Sequence, residues 1–114
     1  MLINEEVKLN KASDETFLKV IENVSKVMNK RLSTYDTMLK LTASNSFIAC
    51  DFNMLKHLEN KMIDVIKLTS IIIETIIKQY QIEHLSLNEI KNNLLAFSNK
   101  KEYQFDINQM FKLN

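Results

Sequence analysis

The sequence contains no glycine and no proline in 114 residues. Average usage would place roughly thirteen of the two together in a chain of this length. Tight hairpin turns, β-bulges and phosphate-binding loops need glycine, and proline stiffens turns and edge strands. A sandwich, a barrel, a Rossmann fold or a P-loop would be very hard to build without them. Helices can end on Asn, Ser or Lys, so the composition predicts an all-α protein.

Cysteine and long apolar runs are also scarce. The single cysteine, Cys50, excludes an intramolecular disulfide and therefore a disulfide-stapled secreted fold. No apolar run approaches the roughly 20 residues of a membrane span. The first eight residues contain two acids and lack the apolar core of a standard signal peptide. We therefore expect a cytoplasmic protein, and export by a route that needs no signal peptide stays open.

The charge is close to balanced, at 15 basic and 14 acidic residues and a net charge of +1. The sequence pI of 7.8 is below the value of about 9 that is typical of basic nucleic-acid-binding domains. Arg31 is the one arginine, beside 14 lysines, 13 asparagines and 13 isoleucines. Such usage is common in AT-rich coding genomes, as in many bacteria and phages.

Apolar periodicity predicts two long helices. The first spans 14–41 and presents a heptad-like seam, with one charged interruption, at Phe17, Ile21, Val24, Met28, Arg31, Tyr35 and Met38. Residues 42–46 are rich in Ser and Asn, which favour turns and caps. The second helix spans 47–82, with a seam at Leu55, Leu58, Met62, Val65, Thr69, Ile72 and Ile76. A second candidate break at 51–53 would leave 47–52 as a short separate turn.

The C-terminal third carries two helix-start signals. Ser86 and Glu89 form a capping box, and Leu85 and Ile90 occupy the positions of a hydrophobic staple, which predicts a helix over 87–98. The same device recurs at 106–109 and predicts a short helix over 107–113. An alternative for 102–107 is an extended segment, since apolar residues alternate there. Residues 1–12 are expected to form a loose arm, or a short helix that needs a neighbour.

These elements predict one helical domain over 1–114. The two long helices should fold back as an antiparallel hairpin, because a short connection joins them. The one or two short C-terminal helices would then cover part of its apolar surface. Because that cover is small for two long apolar faces, we expect dimerisation, or a helical partner, to complete the bundle.

Catalytic and metal-binding patterns are sparse. Cys50 and His57 are seven residues apart, about 10.5 Å along a helix, which is too far for one zinc ion bound at 2.0–2.3 Å. No Glu-x-x-His motif is present, and His84 lies on another element. We expect neither enzymatic activity nor a metal or cofactor.

An alternative function is nucleic-acid binding by the C-terminal helices, through Lys91, Lys100, Lys101 and Lys112. A helix-turn-helix usually has a turn of three or four residues. Here the predicted turn spans about 98–105, and the net charge gives little attraction to phosphates.

The helix over 14–41, the break at 42–46 and the helix over 47–82 resemble the helical hairpin of WXG100-type secreted proteins. In that family a Trp-x-Gly turn joins two helices, and the chains dimerise into four-helix bundles. The corresponding stretch here is Ser44, Asn45, Ser46 and Phe47, without Trp or Gly, and no Tyr-x-x-x-Asp export signal follows the second helix. The resemblance, a second alternative, implies a secreted hairpin protein or its partner.

The function that the sequence favours is protein–protein interaction by helix–helix packing, as an adaptor, chaperone or inhibitor, with a second copy or another helical protein. The residues expected to face the partner are Phe47, Phe52, Ile71, Met110 and Phe111.

Overall fold

The computed structural model describes residues 7–10, 13–44 and 52–113. All elements of these residues are helical, as the composition predicts. They are α1 (Asp14–Ser44), α2 (Phe52–Ile77), a π-helical turn (Lys78–Ile82) that continues α2, α3 (Leu87–Phe97) and α4 (Lys101–Met110). Residues 7–10 form a further helical turn whose Leu9 is buried, so this part of the expected arm is a short helix.

The two long helices pack against each other in antiparallel directions. Near the start of α1, Phe17 stacks on Tyr80, which follows the end of α2, with ring centroids 4.4 Å apart and planes 8° from parallel. The predicted seam of α1 is buried or half-buried except for Met38, which is exposed. Helix α1 continues three residues beyond the predicted end. The predicted start of the second helix at residue 47 lies outside the described residues.

The connection from α2 to α3 shows how the chain turns without glycine. His84 adopts a left-handed conformation with φ of 57°. The amide of Leu85 donates to the carbonyl of Gln79, six residues earlier, at 2.9 Å, so a backbone hydrogen bond closes the helix end around the left-handed residue, as in other αL helix caps. Histidine therefore occupies the position that glycine usually fills, at a steric cost of about 1–2 kcal/mol.

The Ser86 cap of the first helix-start signal is confirmed. The Ser86 hydroxyl accepts a hydrogen bond from the Glu89 amide at 3.1 Å, and Ile90 of the staple is fully buried. Helix α3 ends at Phe97, one residue before the predicted end.

The second helix-start signal is wrong. Helix α4 begins at Lys101 rather than residue 107, and Asp106 lies within it. The extended alternative for 102–107 is wrong as well. The reason is tertiary: Tyr103, Ile107 and Met110 are spaced as one helical face and are buried together, and the Asp106 carboxylate binds Arg31 of α1.

Helix α4 packs antiparallel along α1. Asp106 contacts Arg31, and further down the pair the Asn23 side-chain amide donates to the carbonyls of Met110 and Lys112 at 3.1 and 3.0 Å. Helices α3 and α4 thus cover one side of the hairpin toward the start of α1. At the other end Met38, Leu41 and Phe52 are exposed, which agrees with the elongated dimensions of 56 × 28 × 22 Å.

Candidate interaction surfaces

One side of the α1–α2 hairpin, which we call the hairpin face, lies opposite α3 and α4. At about 100° per residue, Met62, Ile66, Thr69, Ile73 and Ile77 of α2 fall within an arc of about 80°. The residues of α2 that face α3 and α4 are centred about 160° around the helix axis from the middle of this arc. The α1 part of the hairpin face consists of Ile21, Leu32 and Leu39, which are half-buried.

The hairpin face is apolar and partly exposed. Ile66 is 56% exposed and Ile77 is 37% exposed, while Met62 and Ile73 are half-buried at the edge of the core. From residue 62 to residue 77 the arc contains no charged residue. Its one polar member, Thr69, donates its hydroxyl to the carbonyl of Val65 at 2.7 Å. Among the described residues no third helix covers this face.

A groove opens on the opposite side, between α2 and the α3–α4 pair. Its volume is about 640 Å³. The apolar walls and floor are formed by Leu68, Ile71, Ile72, Leu94, Phe97 and Ile107. Two of these side chains stand at the rims: Ile71 is 57% exposed and Phe97 is 83% exposed.

The edges of the groove carry charge. Lys67, Lys78 and Lys100 line it together with Asp64 and Glu83. The Lys100 ammonium lies 5.5 Å from the centroid of the Tyr103 ring, which also lines the groove. At this distance the cation is attracted to the face of the ring, so the Lys100 ammonium is held at the mouth of the groove.

A polar network supports α4 behind the groove. Arg31 binds Asp106 with both carboxylate oxygens and also donates to the Glu102 carbonyl at 3.3 Å. The hydrogen bond with Asp106 raises the pKa of Arg31 above its ordinary value. The Glu102 carboxylate accepts from the Tyr35 hydroxyl at 3.2 Å and lies 3.5 Å from the Lys61 ammonium. The network therefore ties α4 to both long helices.

The Tyr103 hydroxyl lies next to this network. It is buried and has no hydrogen-bond partner among the described residues. Burial is the largest cause of its raised pKa, followed by the neighbouring Tyr35.

The sequence-predicted partner residues lie in different places. Ile71 is on the groove wall, and Phe52 is exposed at the start of α2. Met110 and Phe111 are buried against the rest of the chain, so they serve the intramolecular core and are removed from the candidate surface. Phe47 lies outside the described residues.

The lysines of the nucleic-acid alternative are spread over α3 and α4. Lys91 is half-buried in α3, whereas Lys100, Lys101 and Lys112 are exposed. The turn between α3 and α4 spans residues 98–100, so the expected long turn is wrong and no longer counts against a helix-turn-helix. The net charge of +1 still offers little attraction for a phosphate backbone.

The described residues bring no three potential metal ligands together. His57 and His84 are exposed and belong to different parts of the chain, and Cys50 lies outside the described residues. None of the described helices has both the length and the hydropathy to cross a membrane.

Sequence reasoning placed Ile71 near a partner but missed the groove around it. The groove depends on the path of α3 and α4. Because the sequence predicts the last helix to begin at residue 107, it gives no indication of the contact between Lys100 and Tyr103. The sequence predicts uncovered apolar surface on the two long helices, but it does not locate the hairpin face.

No protein-family model, no curated protein and no solved structure matches the chain. The resemblance to the WXG100-type hairpin therefore stays a prediction.

Proposed function

We propose that the protein is a non-enzymatic interaction module that acts by helix–helix packing, and that its first partner is a second copy of itself bound through the hairpin face. An adaptor, chaperone or inhibitor of a bacterial or phage system is the class of role that such a module serves.

The observation that carries this proposal is the uncharged arc of α2. Large isoleucine side chains are exposed at Ile66 and Ile77 while every charged residue of 62–77 lies elsewhere on the helix. A solvent-facing helix side is normally polar, and contiguous exposed apolar surface is typical of interaction sites. We therefore assign Ile66 and Ile77 to contacts with another chain, because they are left exposed in the single chain.

The size of the hairpin face is that of a small interface. The distance from Met62 to Ile77 along α2 is about 23 Å at 1.5 Å per residue. Two helices packed 8–10 Å apart give a width of about 20 Å, and hence about 450 Å² in projection. A standard protein–protein interface buries about 800 Å² on each partner. Because the accessible area of a ridged surface exceeds its projection, the hairpin face is at the low end of this size class.

Two hairpin faces packed together would form a four-helix core from two copies of α1 and α2. The net charge of +1 per chain causes little repulsion between the copies. Helices α3 and α4 would lie on the outside, and the groove of each chain would stay open.

The test compares two aspartate substitutions on one helix. Ile66 and Ile71 are 56% and 57% exposed, but Ile66 lies on the hairpin face and Ile71 on the groove. Sedimentation equilibrium should show a wild-type dimer, a dimer for Ile71→Asp, and a dissociation constant at least about 100-fold higher for Ile66→Asp, because dimerisation would bury its unpaired charge.

Circular dichroism should show the same helix content for both variants, because neither position is in the core. A wild-type chain that sediments as a monomer at all concentrations would refute the dimer. Equal effects of the two substitutions would show that the hairpin face is not the interface.

A further inference from the structure

The groove between α2 and α3–α4 has the volume of a small-molecule site. Its 640 Å³ falls within the range of about 300–1,000 Å³ that is usual for ligand pockets. Leu68, Ile72 and Ile107 are apolar and belong to its lining. An apolar concave surface with a few polar groups at its edge is the usual composition of such sites.

The groove is elongated along α2. Its α2 wall runs from Asp64 to Gln79, about 22 Å at 1.5 Å per residue, so an extended chain can lie along it. At one end the Asn93 side-chain amide donates to the Gln79 side-chain oxygen at 3.1 Å, and this bond holds the two walls together.

The charge of the edges favours an anion. Three ammonium groups, of Lys67, Lys78 and Lys100, line the groove with two carboxylates. No ion pair joins these lysines to another described residue. The Lys100 ammonium already lies over the Tyr103 ring at the mouth, where it can pair with an anionic group without leaving the groove.

We propose that the groove binds a long-chain aliphatic molecule with one anionic headgroup, such as a fatty acid. The hydrocarbon chain packs along Leu68, Ile72 and Leu94, between the rim side chains Ile71 and Phe97. The headgroup pairs with Lys100. This binding site is separate from the hairpin face and does not depend on dimerisation.

Calorimetric titration with straight-chain carboxylates below their micelle concentrations tests the ligand class. Binding of laurate should saturate at one molecule per chain. Affinity should rise about fourfold for each added methylene from octanoate to laurate, as expected when every methylene is buried. The cationic analogue dodecyltrimethylammonium should bind at least about fivefold more weakly. Equal affinity of the two headgroups, or the absence of saturable laurate binding, would overturn the proposal.

Two pairs of substitutions test the location. Phe97→Asp should weaken laurate binding more than about tenfold, whereas Phe105→Asp, at a 61% exposed position on the other side of α4, should leave it unchanged. Lys100→Gln should weaken it about two- to fivefold, the usual value of an exposed ion pair, whereas the neighbouring Lys101→Gln should not. Equal losses within either pair would place the ligand elsewhere.

The hairpin-face variant separates this proposal from the dimer. Ile66→Asp should bind laurate as the wild type does, and Ile71→Asp should bind it more weakly while remaining dimeric. If Ile66→Asp lost laurate binding together with dimerisation, the ligand would lie at the interface between copies and the groove proposal would fail.

Discussion

The guanidinium of Arg31 and the carboxylate of Asp106 form a two-pronged pair between α1 and α4. The Nε atom donates to Oδ2 and the Nη2 atom donates to Oδ1, each at 2.9 Å. The side chain of Arg31 is 22% exposed and that of Asp106 is 7% exposed. The chain uses its single arginine at the position where a planar, two-pronged donor matches a buried carboxylate.

We predict that Arg31→Met lowers the free energy of unfolding by about 3–5 kcal/mol, because it leaves the Asp106 carboxylate buried and unpaired. The double variant with Asp106→Leu should recover to within about 1 kcal/mol of the wild type, since it replaces the buried pair by apolar groups. Urea unfolding at one fixed protein concentration measures both, because self-association makes stability concentration-dependent. A double variant as unstable as the single one would contradict this account.

The Arg31–Asp106 pair also shows which features the sequence could and could not predict. The position of Arg31 in the seam of α1 was recognised as an interruption, but its partner lies 75 residues away and local spacing cannot identify it. Asp106, Ile107 and Gln109 instead resembled the start of a helix. The tertiary ion pair and the burial of Ile107 overrode that local signal, and α4 began six residues earlier.

Predictions that depend only on spacing within one helix were more reliable than those that depend on tertiary contacts. The seams of α1 and α2 and the Ser86 cap depend on neighbours three or four residues apart, so the sequence contains all the required information. The groove needs the relative positions of three helices, which no short segment encodes. Ile71, which the sequence predicts to face a partner, is exposed and lines the groove.

We predict that Tyr103→Phe stabilises the protein or leaves its stability unchanged. The Tyr103 hydroxyl is buried without a partner among the described residues, and removing such a group recovers a desolvation cost of about 1–3 kcal/mol. Tyr35→Phe is the matched control: it loses the hydrogen bond to Glu102 at 3.2 Å and should destabilise by about 1 kcal/mol. Thermal unfolding of the two variants distinguishes them, and a lower Tm for Tyr103→Phe would show that its hydroxyl has a partner.

The protein should lose stability at alkaline pH through its tyrosines. The chain has three, and burial is the main cause that raises the pKa of Tyr35, Tyr80 and Tyr103 above the ordinary value of 10.0. The folded state therefore holds these protons more tightly than the unfolded state. This contribution to stability is complete below pH 10 and is lost as the pH rises through the pKa values of the folded protein.

Ultraviolet titration of tyrosinate tests this directly, because no tyrosine with an unshifted pKa is present to obscure the change. The midpoint in native buffer should be higher than the midpoint in concentrated denaturant, and Tm should fall as the pH is raised above 10. Lysines also titrate in this range, so the effect of the tyrosines must be separated from theirs by comparison with Tyr103→Phe. The decrease in Tm between neutral and alkaline pH should be smaller for this variant than for the wild type. Coincident tyrosinate midpoints in the folded and unfolded protein would contradict the raised pKa values.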